Sequence, residues 1–167
     1  MNNSNLEKQV QIISNIIYRK TIELGIIAGC IPISILTSNI LSHRNIKNSF
    51  NVGYLNINKQ FSLWHCWVSI DNIPIDIQFN AYEVLMPQTY SEDIEYSSYP
   101  LYEIIDEDTE EEKEIKRENI KVVVEYRKSP NKIFEFIEKT FGIMPNTKEL
   151  INELNLLFMD KISINLQ

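Results

Sequence analysis

Along residues 6 to 24 the apolar positions Leu6, Val10, Ile13, Ile17 and Leu24 recur at steps of three and four, with Thr21 completing the series and Gly25 following as a stop. This is the pattern of an amphipathic helix that buries one stripe. After the short apolar link Ile26-Ile27-Ala28-Gly29 comes CIPISILTSNILSHR, in which Pro32 suits a first helical turn and Ile33, Leu36 and Ile40 share a face. A second helix is expected to begin at or beside Cys30. The period then shortens to two. SFNVGYLNINKQ and FSLWHCWVSI alternate and are rich in aromatic and β-branched residues, and a third run, IPIDIQF, follows Asp71-Asn72. These segments predict three antiparallel strands, the last two forming a hairpin.

Beyond Asn80 the chain becomes Tyr-rich and then acidic, with seven acids and one Lys between Asp106 and Glu114. A solvated loop and a charged helix are expected there. IKVVVEY reads as a further short strand, Ser129-Pro130 as the opening of a helix that ends near Gly142, and Asn146 to about Lys161 as a last helix. No internal repeat or flexible linker divides these pieces. One domain of α+β type over residues 1–167 is therefore expected, with a core at about 25–80 and a C-terminal extension over 81–167.

Composition narrows the partners more than the fold. Sixteen Lys and Arg against twenty-three Asp and Glu leave a net charge of -7, so there is no basic footprint for a nucleic-acid backbone. The N-terminus is polar, and no apolar run approaches the roughly 18 residues of a membrane span. Two cysteines are too few for a disulfide scaffold and point to a reducing, cytoplasmic or otherwise intracellular setting. The chain holds 28 Ile and 18 Asn but only two Ala, a bias typical of an A+T-rich genome. Asn and Ile thus stand where Ala and Leu would usually mark helices.

Three residues concentrate the chemistry: Cys30, His65 and Asp76. A thiol at the head of a helix meets unpaired backbone N–H groups and the positive end of the helix dipole, both of which favour the thiolate. The amides of Cys30, Ile31 and Ile33 remain available there as oxyanion donors, Pro32 having none. His65 places a polar ring in a strand of Phe, Leu, Trp and Val, where it needs a partner. If Asp71-Asn72 is a two-residue turn, Ile70 pairs with Ile73, Trp67 with Asp76 and His65 with Gln78, which sets Asp76 diagonally beside His65 on one face. Cys66, next along the strand, points to the other face and away from His65. For the same reason Cys30, His65, Cys66 and Asp76 would not converge as zinc ligands, and neither metal nor cofactor is expected.

Plainer roles are open for each of these residues. Cys30 can be a small buried hydrophobe, and His65–Asp76 a structural pair. His43, in the polar tail of the second helix, suits a cation at a helix C-terminus. Alternation puts Trp67 beside His65, where it could wall a substrate groove, and Tyr90, Tyr96, Tyr99 and Tyr102 could cover a cleft.

Taken together, GCIPISILTSNIL and, after a gap ending in a strand, HCWVSIDNIPIDIQ resemble the core of the transglutaminase-like superfamily. In that family a Cys opens the central helix, a His stands in an H-x-W-V strand, and an Asp ends the next strand. The resemblance covers about residues 25 to 80. It implies a papain-like α+β core with Cys30 as nucleophile, His65 as general base and acid, and Asp76 as the orienting carboxylate. The Arg-Gly-Gly-x-Cys pattern of arylamine acetyltransferases and the zinc-binding Cys pairs of peptide N-glycanases are absent. The implied activity is cysteine-dependent hydrolysis of an amide in a peptide or protein. Acyl transfer to an amine on the same residues, or a non-catalytic protein-binding module, are the alternatives.

Overall fold

A computed structural model describes residues 3–27, 29–98 and 108–128, together with 135, 139, 146, 149, 150 and 152–154. The N-terminal stripe forms helix α1 (Asn3–Glu23), which buries Ile13, Ile17 and Thr21. It stops at Gly25, whose φ of 63° lies in the left-handed region. There Gly25 N–H donates to Ile22 O and Ile26 N–H to Thr21 O, both at 3.0 Å, the pairing that satisfies the last carbonyls of a helix.

Helix α2 (Cys30–His43) begins at Cys30 as expected. It is enclosed well beyond a single face, since Pro32 to Ser38, Ile40 and Leu41 are all buried. Its inward hydroxyls are satisfied: Ser34 Oγ donates to Cys66 O at 2.9 Å, Thr37 Oγ1 to Ile33 O at 2.7 Å and Ser38 Oγ to Asn48 Oδ1 at 2.6 Å. Small hydroxyl residues let the helix lie close against the sheet without leaving polar groups unpaired.

Four antiparallel strands follow, β1 (Ser49–Ile57), β2 (Phe61–Ile70), β3 (Ile73–Ile75) and β4 (Ile94–Ser98), in the order β3-β2-β1-β4. The hairpin turns on Asp71 and Asn72 with φ of 50° and 67°, as a two-residue turn requires, and Ile70 pairs with Ile73. One core joins α1 and α2 to Val68, Ile77, Leu150 and Leu154, and another joins Leu55 and Ile57 to Phe79 and Tyr82. Helix and antiparallel sheet thus make an α+β fold. Among the described residues no helix is long and apolar enough to cross a membrane.

Several expected elements differ. The third strand is only three residues long, because the Asp76 side chain accepts from Phe79 N–H at 3.0 Å and caps helix α3 (Ile77–Leu85). Pairings of Trp67 with Asp76 and of His65 with Gln78 therefore do not form. The segment after Asn80 is not all loop: Ile94 and Tyr96 alternate inward on β4, which pairs with β1. IKVVVEY is not a strand but the second half of helix α4 (Glu110–Lys128). A capping box starts that helix, with Thr109 N–H and Oγ1 donating to Glu112 Oε2 at 2.8 and 2.9 Å and Glu112 N–H returning to Thr109 Oγ1 at 3.2 Å. Once nucleated, the helix carries through the β-branched run. The helix expected from Ser129-Pro130 lies largely outside the described residues, as do Tyr99 and Tyr102. Of the last one, residues 149, 150 and 152–154 are helical.

Candidate active site

Cys30 is the first residue of α2 and is partly exposed. The chain just before it is held by α3. Gln78 accepts from Gly29 N–H through Oε1 at 3.0 Å and donates from Nε2 to Ile26 O at 2.9 Å, while Tyr82 Oη donates to Ile27 O at 2.8 Å. Gln78 and Tyr82 are four residues apart, so one face of α3 holds the segment at several points. Position 29 must be glycine for this packing, because a Cβ there would lie 2.6 Å from Ile26 Cγ2 and 2.8 Å from Gln78 Oε1. Ile33 N–H donates to Gly29 O at 2.9 Å, which removes it from the three expected oxyanion donors. The amides of Cys30 and Ile31 remain at the helix head, where no intrahelical acceptor precedes them.

His65 is buried in β2 and bonds to Asp76 through Nε2, at 2.9 Å from Oδ1 and 2.8 Å from Oδ2. Asp76 also accepts from Tyr96 Oη at 3.1 Å and from Phe79 N–H, so its two oxygens serve three donors. The rings of Phe79 and His65 meet in a T-shaped pair at a centroid distance of 6.5 Å. With Nε2 on Asp76, Nδ1 is the nitrogen left to meet the Cys30 sulfur. Burial opposes charge on the ring, but the Asp76 carboxylate and Cys30 outweigh it and push His65 up to about 10.

The two thiols move in opposite directions. Hydrogen bonding from the Cys66 thiol, and then from the His65 imidazolium, holds Cys30 well below the ordinary thiol range against the effect of burial. Burial pushes Cys66 well above it, and the adjacent Cys30 charge adds to this. Cys66 sits with Val52 in a buried cluster against which Cys30, Ile31 and Trp64 pack. It therefore occupies the opposite face of β2 from His65, as alternation requires, yet touches Cys30. Both contacts are possible because β3 ends opposite Val68, before it reaches the stretch of β2 that carries His65 and Cys66.

Trp67 shares the His65 face and is buried, its ring 5.0 Å from that of Tyr96. Tyr90 stacks on Phe79 at 5.5 Å and Tyr96 belongs to β4, so these two tyrosines pack into the fold. Burial and the nearby Asp76 hold Tyr96 well above the usual phenol range, which keeps it a donor. His43 lies in the last turn of α2. Among the described residues no three His, Cys, Asp or Glu side chains are grouped to hold a metal.

Gln78 is expected from the sequence only as a strand partner of His65 and Tyr96 only as a cleft cover, while Tyr82 carries no such signal; the roles of all three emerge from the structure. Those of Gln78 and Tyr82 become legible only once the segment after Asp76 is seen as a helix, and that of Tyr96 only once Ile94–Ser98 is seen as a strand. No family model matches the sequence, and no curated protein or solved structure matches it either.

Proposed function

We propose that the protein is a cysteine-dependent amide-bond hydrolase with a papain-like, transglutaminase-like core and the triad Cys30, His65 and Asp76. The observation that carries this reading is a buried imidazole, held through Nε2 by both oxygens of Asp76, beside a thiol at a helix N-terminus. Each part has a function in such chemistry. The lowering of the Cys30 thiol favours the thiolate nucleophile, and His65 carries the proton that a departing amine needs.

The thiolate attacks the carbonyl carbon of a peptide or side-chain amide, and the carbonyl oxygen becomes an oxyanion near the Cys30 and Ile31 amides. His65 Nδ1–H protonates the amine as the C–N bond breaks, leaving a thioester on Cys30. Neutral His65 then takes a proton from water, whose hydroxide attacks the thioester and regenerates the thiolate and the imidazolium. Asp76 keeps one ring orientation through both halves and stabilises the charged ring.

The test combines chemical trapping with reactivity. A peptide mixture is incubated with wild type and Cys30→Ala, and hydroxylamine is added to convert any thioester to a hydroxamate. New carboxyl termini and Cys30-dependent hydroxamates support a hydrolase, whereas new isopeptide bonds redirect the assignment to acyl transfer. If no peptide is changed and Cys30 alkylates no faster than Cys66, the hydrolase assignment fails and a binding module takes its place.

A further inference from the structure

The second cysteine forms no bond to substrate in that mechanism, yet its thiol is built against the nucleophile and donates to it. Cys66 is buried beside Val52, and Cys30 packs on that cluster from the first turn of α2. The turn is anchored there by Ser34, one turn along from Cys30, whose Oγ donates to the carbonyl of Cys66 itself at 2.9 Å. The helix start and the strand are thus tied together at the residue whose thiol faces Cys30. β3 pairs with β2 only from Val68 to Ile70 and so stops short of Cys66. A partly exposed cysteine next to a buried one is the arrangement of an attacking and a resolving residue.

We propose that Cys30 and Cys66 form a reversible intramolecular disulfide when the protein meets a hydroperoxide. The Cys30 thiolate attacks the distal peroxide oxygen; the S–O bond forms and the O–O bond breaks. The sulfur is oxidised by two electrons to the sulfenic acid, and the peroxide is reduced to water or an alcohol that takes its proton from the His65 imidazolium. The Cys66 sulfur then displaces the hydroxyl, which leaves as water with the Cys66 proton, and the S–S bond forms. A dithiol reductant reverses the change. The lowered Cys30 and raised Cys66 thiols suit these two roles, since the thiolate reacts with peroxide and the second sulfur remains a protonated reserve. The bond ties up the nucleophile, so it would also silence any reaction that Cys30 performs and shield it from further oxidation.

The inference depends on the adjacency of the two sulfurs and not on what Cys30 attacks. Reduced protein is treated with hydrogen peroxide, with and without dimedone, and followed by intact mass and non-reducing peptide mapping. Wild type is expected to lose two hydrogens, to show a Cys30–Cys66 cross-link within one chain, and to recover both thiols in dithiothreitol. Cys66→Ser, and Cys66→Ala should the serine variant not fold, are expected to give a dimedone adduct on Cys30 instead. Over-oxidation of Cys30 in wild type as fast as in the Cys66 variants would overturn the proposal, as would cross-links only between chains or thiols that survive peroxide intact. In each case iodoacetamide labelling separates the two ideas. Rapid Cys30 alkylation at neutral pH without a disulfide removes only the dithiol site, whereas loss of both reactivities removes the hydrolase as well.

Discussion

The two faces of strand β2 are both buried, but they are held by different forces. On one, Cys66 and Val68 pack against Val52 and the helices, and what counts is volume. On the other, His65, Trp67 and Ser69 meet polar or aromatic partners: Asp76, the ring of Tyr96, and Asn51, whose Nδ2 lies 3.0 Å from Ser69 Oγ. Here what counts is that no donor or acceptor is left alone, because an unpaired buried polar group costs about as much as several apolar contacts return. A defect on the first face stays local, while one on the second passes from His65 to Asp76 and on to Tyr96 and α3. Cys30 stands at the edge between them and touches both.

Variants can break this contrast in order of effect. Cys30→Ala is expected to reduce amide hydrolysis to background, a loss on the order of 10^6-fold as for other triad nucleophiles, with the fold kept and a smaller loss of stability than in His65→Ala. His65→Ala is expected to match that loss and also to destabilise the fold by about 3 kcal/mol, since it strands a buried carboxylate. Unchanged unfolding of His65→Ala would remove the distinction between the faces.

Asp76→Asn keeps an oxygen for Phe79 N–H but removes the charge that raises His65. Its loss of rate is expected to be roughly a hundredfold milder than that of Cys30→Ala. It should also lower the alkaline limit of activity, which is expected in wild type near the His65 value of about 10. The sign for stability follows from the same shift. His65 is raised from 6.5 to about 10, so its contribution is complete below 6.5 and is lost as pH rises through about 10. Cys30 is lowered from 9.0, so its contribution is complete above 9.0 and is lost as pH falls through its depressed value. The ion pair is therefore held only between the lowered Cys30 pKa and about 10. Urea midpoints across that range should fall at the alkaline end in wild type and less so in Asp76→Asn.

Tyr96→Phe removes one of three donors to Asp76 and is expected to cost about 1 kcal/mol with most turnover kept. The smallest effect on turnover is expected from Cys66→Ser, because the serine hydroxyl can still donate to Cys30 and the His65 face is untouched. If Cys66→Ser and Cys30→Ala abolish hydrolysis equally, the two faces are not independent and the contrast fails.

Much of the frame was legible locally. The stripe of α1, the helix start at Cys30 and the Asp71-Asn72 turn all follow from period, stop residues and turn chemistry within a few positions. The expected run of β3 failed because Ile73, Ile75, Ile77 and Phe79 keep a period of two across a strand-to-helix junction. Their alternation cannot reveal that Ile77 joins the α1–α2 core while Phe79 joins Leu55 and Tyr82. Asp76 decides the junction by capping α3, and the same carboxylate holds His65, so one residue ends the strand and completes the site. The misread strand at IKVVVEY has a different origin. The capping box at Thr109 and Glu112 nucleates a helix upstream, and that helix overrides the β-branched propensity of the valines.

By itself the sequence determined which residue types stand at the head of a helix, which alternate on a strand and where the chain turns, because these depend on neighbours a few positions away. Tertiary structure alone decided that Gln78 and Tyr82 hold the segment before Cys30, that Tyr96 reaches Asp76, and that Cys30 meets Cys66 as well as His65. The last of these depends on where β3 stops and how closely α2 lies on β2. Both are settled by packing between segments far apart in the chain, and neither leaves a periodic trace in any one of them.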